Sequence, residues 1–148
     1  MRKIIFLSTS FILLGILLIA YRMYNKPHQN IEESSPNTTI SAADLFDSFE
    51  QNEDSAMVTF SDQILLVEGL LLNKDLSNAL EPQLLLATKA DNGFIRCGFK
   101  PDQLPELEML QDSTIVQIKG LCKGLNGDDE LSLLLDKDVI LSSSIIIP

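Results

Sequence analysis

Apolar residues recur along this chain in three rhythms, and each predicts a different kind of element. From Ile4 to Tyr21 the run is unbroken, eighteen residues without a charge. As a helix it would extend about 27 Å, close to the ~30 Å hydrocarbon core of a bilayer. Ser8, Thr9 and Ser10 can return their hydroxyls to helix carbonyls, so they do not forbid insertion. Residues 1–26 are therefore expected to form an N-terminal membrane anchor, with a transmembrane helix over about 4–21. The rival reading is a cleaved secretory signal, which needs a shorter apolar stretch ending in a small-x-small site. Here Leu18 stands where a small residue would be needed, and the run continues through Ala20 and Tyr21 to Arg22. Residues 27–40 are polar and proline-punctuated, and they predict a flexible tether that could extend on the order of 40 Å.

The second rhythm is helical. Ser41 offers a hydroxyl N-cap with Asp44 three residues on, and Leu45, Phe46 and Phe49, with Ala56 beyond, share one face. One helix packing on the domain is expected, with Asp47, Glu50 and Gln51 toward water. After Asp62 the third rhythm begins. Ile64 to Leu72 predicts a strand bent or bulged at Gly69, with Leu65, Val67, Gly69 and Leu71 on one face. Leu84–Thr88 and Phe94–Phe99 flank the turn signal Asp91-Asn92-Gly93 and predict a hairpin. Pro101–Leu110 predicts a short helix, Thr114–Cys122 a fourth strand, Lys123–Glu130 a loop and Val139–Ile147 a final strand. Leu131–Leu135 either begins that last strand or forms an extra hairpin arm. The expected fold is mainly β, a five-stranded OB-fold-like Greek-key barrel over 41–148. It would carry a packing N-terminal helix and a short helix between strands 3 and 4.

Charge changes this picture in two ways. Arg2, Lys3, Arg22 and Lys26 bracket the apolar run, and the charge-bias rule tips slightly toward a cytoplasmic N-terminus. In a bacterium this expects a single-pass protein of the inner (cytoplasmic) membrane, its domain in the periplasm. Beyond Lys26 come seven basic and twenty-one acidic residues, a net charge of −14. Such a field repels phosphate backbones, so nucleic acid is a disfavoured partner. The chain has no Trp, and both tyrosines, Tyr21 and Tyr24, lie by the anchor, so the stacking platform of a single-strand binder is thin.

Candidate chemistry is sparse. The one histidine, His28, lies in the tether, away from any nucleophile the domain could hold, which disfavours Ser/His/Asp and Cys/His catalysis. Asp128-Asp129-Glu130 and the Asp136/Asp138 pair lack the ligand spacing of a calcium loop and read as solvated acids, with weak divalent-ion or polyamine binding as the alternative. Cys97 and Cys122 fall on presumed inward faces, either as one disulfide or as buried thiols. No catalytic residue, metal site or cofactor is expected. OB barrels bind ligands on the face of strands two and three and the adjoining loops, which makes Lys89, Phe94, Arg96, Lys123 and Asn126 the candidate ligand face.

Beyond the anchor, the chain resembles the tRNA_anti-like family, small bacterial OB-fold relatives often found behind a membrane or lipoprotein anchor. The resemblance rests on Tyr24-Asn25-Lys26-Pro27-His28 by the membrane, and on Leu45-Phe46, Phe49-Glu50, Asn52-Glu53 and Ala56 in the first helix. It continues through Val67-Glu68-Gly69, Cys97-Gly98-Phe99, Val116 to Gly124 and Asp138-Val139-Ile140-Leu141. The family's final strand often carries a cysteine where this chain has Ser144. The resemblance implies a fold and an anchor but no reaction. The expected function is thus a non-enzymatic envelope domain binding a protein, peptide or small cationic ligand. Single-stranded nucleic-acid binding and an envelope enzyme using acidic loop residues are the alternatives.

Overall fold

Alternation places one row of side chains on each face of every strand, and burial follows those rows closely enough to define the barrel. The computed structural model describes residues 15, 31–91, 93–126 and 137–147. Its elements are β1 (Thr38–Ser41), α1 (Ala42–Gln51), α2 (Glu53–Phe60), β2 (Ile64–Asp75), β3 (Gln83–Ala87) and β4 (Gly93–Phe99). A 3-10 turn (Pro101–Gln103), α3 (Leu104–Met109), β5 (Ile115–Asn126) and β6 (Lys137–Ile147) follow. The expected anchor helix apart from Gly15, all four of its flanking charges, His28 and the Asp128-Asp129-Glu130 and Leu131–Leu135 segments lie outside the described residues. Among the described residues no helix is long and apolar enough to cross a membrane.

The sheet runs β1-β2-β3-β4-β6-β5 and closes through a β2–β5 pairing. Closure is possible because β2 serves two neighbours in succession. Ile64 to Leu70 pair with β5, and Leu71 to Asp75 pair with β3, with a register shift between Leu71 and Asn73. The bend expected at Gly69 thus falls next to this exchange of partners. Gly69 also has a packing reason, because a Cβ there would lie 2.8 Å from the Ala42 Cβ and 3.2 Å from the Leu86 Cβ. The β4–β6 pair is parallel and the other pairs among β2 to β6 are antiparallel, which is the five-stranded Greek-key barrel of an OB fold.

Inward positions read Leu65, Val67 and Leu71 on β2, Leu84 and Leu86 on β3, Ile95 and Cys97 on β4, Ile118 and Cys122 on β5, and Val139 and Leu141 on β6, all fully buried. At the start of β4, α1 lays Phe46 directly on Gly93, with Leu45 and Phe49 also buried. Leu107 of α3 is buried in the same core.

Several expectations need correction. The single N-terminal helix is two, because Asn52 adopts an extended conformation that ends α1 and caps α2, its Oδ1 accepting from the Ser55 amide at 2.9 Å. β5 does not stop at Cys122. It runs on through Lys123 to Asn126, with Gly124 at φ 102° where the register with β6 shifts. Part of the expected tether is structured as well. Thr38 to Ser41 pair in parallel with Leu65 to Glu68, the Asn37 amide donates to the Ile64 carbonyl at 2.7 Å, and Ile31 is buried. The ammonium of Lys119, itself a buried residue, donates to the carbonyls of Glu32 and Ser34 at 3.1 Å each. Residues 31–41 thus form a strap fastened across the barrel.

Candidate functional site

The outward rows of β3, β4 and β6 meet in register. Leu85 faces Arg96, Ala87 faces Phe94, Phe94 faces Asp138, and Arg96 faces Ile140. On this face Arg96 is held from two sides. Its Nε donates to Asp138 Oδ2 at 2.7 Å, its Nη2 pairs with the same oxygen, and its Nη1 donates to Gln83 Oε1 at 3.0 Å. Asp138 is buried, and its Oδ1 has no hydrogen-bond partner among the described residues. A buried carboxylate is stable only if charge-paired, so Asp138 is a structural partner of Arg96 and not the solvated loop acid expected from composition. The guanidinium is thereby set on three strands at once, with N–H groups left over for a ligand.

Beside Arg96 lies a groove of about 420 Å³. Gln83, Arg96 and Gly98 line it together with Ile140 and Ser142, and Leu80, Glu81, Lys100 and Pro101 stand around it. The Phe99 amide donates to the Pro82 carbonyl at 2.9 Å, which draws the β2–β3 loop against the end of β4 and shapes that wall. Leu80 is 75% exposed, a large apolar side chain left to solvent at the rim. The arrangement suits an apolar side chain in the groove with a polar group met by Arg96.

The five candidate face residues are only partly brought together. Phe94 and Arg96 share the outer face, and Asn126 stands in register with Asp138 at the end of β5. Lys89 belongs instead to the β3–β4 turn, where it pairs with Asp47 at 3.1 Å and Asp44 at 3.6 Å on α1. The Asp47 hydrogen bond, reinforced by both carboxylates, holds the Lys89 ammonium above its ordinary range. Lys123 pairs with Asp62 at 2.8 Å beside the α2–β2 junction. Both lysines of the candidate face thus pair with acids of this chain while remaining largely exposed. Sequence reasoning missed Gln83, Ile140 and Ser142. The period-two pattern of the last strand, set against Phe94 and Arg96, held a signal for the latter two.

Cys97 and Cys122 are free buried thiols. Each stands in register with Leu141, on opposite sides of β6. Two strand spacings, roughly 9 Å, separate them, more than a disulfide spans between Cα atoms. Burial pushes the Cys97 thiol far above its ordinary range and raises Cys122 in the same direction. Neither is poised as a nucleophile. Among the described residues no group of three or more His, Cys, Asp or Glu side chains is placed to hold a metal ion.

A closed five-stranded Greek-key barrel with a groove on its exposed β3–β4–β6 face defines an OB-fold domain. The tRNA_anti-like family model matches residues 1–137, and the chain belongs to that family. Among solved structures it is similar to a candidate nucleic acid-binding lipoprotein from Klebsiella pneumoniae, at 12% identity and a TM-score of 0.56, covering 83% of this chain and 100% of that one. It is also similar to an asparaginyl-tRNA synthetase from Entamoeba histolytica, at 14% identity and a TM-score of 0.44, covering 76% of this chain and 24% of that one. No curated protein matches the chain.

Proposed function

We propose that the protein is a non-enzymatic binding domain of the bacterial cell envelope, tethered to the inner membrane by residues 1–26, that takes a peptide segment of another protein on its β3–β4–β6 face. The observation that carries this reading is the groove beside Arg96. Its walls are mostly apolar, and its one fixed cation is already balanced by Asp138. Such a site favours a peptide that contributes an apolar side chain and a carbonyl or carboxylate over a polyanion. The net charge of −14 beyond Lys26 weighs against a phosphate backbone in the same way. The uncharged run from Ile4 to Tyr21 between basic flanks supports the anchor.

A second reading, single-stranded nucleic-acid binding, draws support from Phe94 beside Arg96 on the face that OB folds use, and from the Klebsiella neighbour of like fold, whose name speaks of nucleic-acid binding without saying of which strandedness. Fluorescence anisotropy separates the two. Labelled envelope-protein peptides are expected to bind with modest salt dependence and to lose affinity in Arg96→Ala. Sub-micromolar oligonucleotide binding that falls steeply with salt would replace the first reading with the second.

A further inference from the structure

Docking of the strap shortens the free chain between the proposed anchor and the barrel. Ile31 is buried, Lys119 grips the carbonyls of Glu32 and Ser34, and the Glu32 carboxylate lies 3.8 Å from the Lys100 ammonium. The chain therefore meets the barrel beside Lys100, a wall of the groove, and not at the first helix. Ten residues lead from Tyr21 to Ile31, a reach of at most about 35 Å. That is about the diameter of a domain this size, taken from a radius of gyration near 13 Å. A leash no longer than the body it holds cannot let every side of that body reach the bilayer equally.

We propose that the strap turns the groove rim, formed by Leu80, Lys100 and Pro101, toward the membrane, so that the lipid surface is what this side of the barrel faces and ligands enter from the membrane-proximal zone. This rests on the anchor reading above. The opposite end of β4 fits an outward position, since Asp44, Asp47, Glu50 and Asp91 gather around α1 and the β3–β4 turn, with Lys89 as their counter-charge. Glu81 and Asp102 stand near the rim, so the leash and not a basic patch sets the orientation. β4 is seven residues long, so six residue steps put Gly93 and Phe99 about 20 Å apart.

The test uses the full chain in lipid nanodiscs carrying an acceptor dye on the headgroups, with a donor at Leu80→Cys or at Asp91→Cys. The buried Cys97 and Cys122 should stay unlabelled, which the unsubstituted protein checks. Given the ~20 Å offset, transfer from position 80 is expected to be about twofold that from position 91. Lys119→Met should bring the two values together by freeing the strap, and Ile31→Ser provides the same release if Lys119→Met fails to fold. Equal or reversed transfer in protein that co-floats with the lipid would overturn the orientation while leaving the anchor intact. Failure of the full chain to co-float with liposomes would overturn both.

Discussion

Gly93 is where the packing of α1 on the barrel can be tested most sharply. It opens β4 directly beneath Phe46, and a Cβ built on it would stand 2.2 Å from Phe46 Cζ, with two further ring carbons at 2.4 and 2.7 Å. Carbon atoms pack at about 3.5–4.0 Å, so the methyl of Gly93→Ala intrudes by roughly 1.5 Å. Phe46 is 0% exposed and belongs to the main core cluster, so its ring has no solvent to retreat into. Overpacking of a closed core costs about 1–3 kcal/mol, and this overlap belongs near the top of that range. For a domain of this size, ~2–3 kcal/mol lowers the melting temperature by about 10 °C. Phe46→Leu removes the ring carbons that the methyl strikes, at its own cost of about 1–2 kcal/mol in lost packing. The double variant should then be at least ~1 kcal/mol more stable than the two single losses predict, because the residues share one contact. Urea denaturation of the detergent-solubilised chain, followed by far-UV circular dichroism, gives all four stabilities. Additivity to within ~0.5 kcal/mol would refute the placement of α1 on Gly93.

Ser144 is buried with no partner for its hydroxyl among the described residues, so Ser144→Ala should raise stability by about 1 kcal/mol, and a fall in the urea midpoint would point to a partner of that oxygen. Asn52→Ala removes the acceptor for the Ser55 amide and should cost about 1 kcal/mol, whereas Asn52→Asp should cost little, as thermal melts would record. Burial raises the thiol pKa of both cysteines in the folded state. Their contribution is therefore complete below the unfolded thiol pKa of about 8.5 and lost as pH rises above it. Stability should decline from about pH 8.5 upward, less steeply in Cys97→Ala, and a thiol reagent at pH 8 should modify neither residue until denaturant is added.

Much of the barrel was legible because one physical rule, burial of alternate positions, writes itself into β2, β3 and β4. Leu65, Val67 and Leu71 fall inward as the alternation requires, and the turn before Gly93 joins two strands that pair antiparallel from Gln83–Gly98 to Ala87–Phe94. The Ser41 cap was equally readable, since its hydroxyl accepts the Asp44 amide at 3.0 Å. What stayed hidden depends on partners far apart in the chain. Thr38 to Ser41 hold three β-branched residues, too short a run to announce a strand, and they pair because β2 offers an open edge. Lys119 looks like a solvent-facing strand residue until carbonyls 85 and 87 residues away cover it. The alternation of β4 put Arg96 on the outward row, yet its hold on Asp138, 42 residues on, has no local mark. The ion pairs of Lys89 with Asp44 and Asp47, and of Lys123 with Asp62, are likewise long-range and carry no local mark.

Chemical-shift mapping on isotope-labelled full-length protein, titrated with peptides from envelope proteins and with single-stranded oligonucleotides, bears on the ligand face itself. Peptide-induced shifts confined to Gln83, Arg96, Gly98, Ile140 and Ser142, with none from oligonucleotides at physiological salt, are expected. Shifts clustering on α1 and α2, or saturating oligonucleotide binding on the β3–β4 face, would contradict the assignment of this groove as a peptide site.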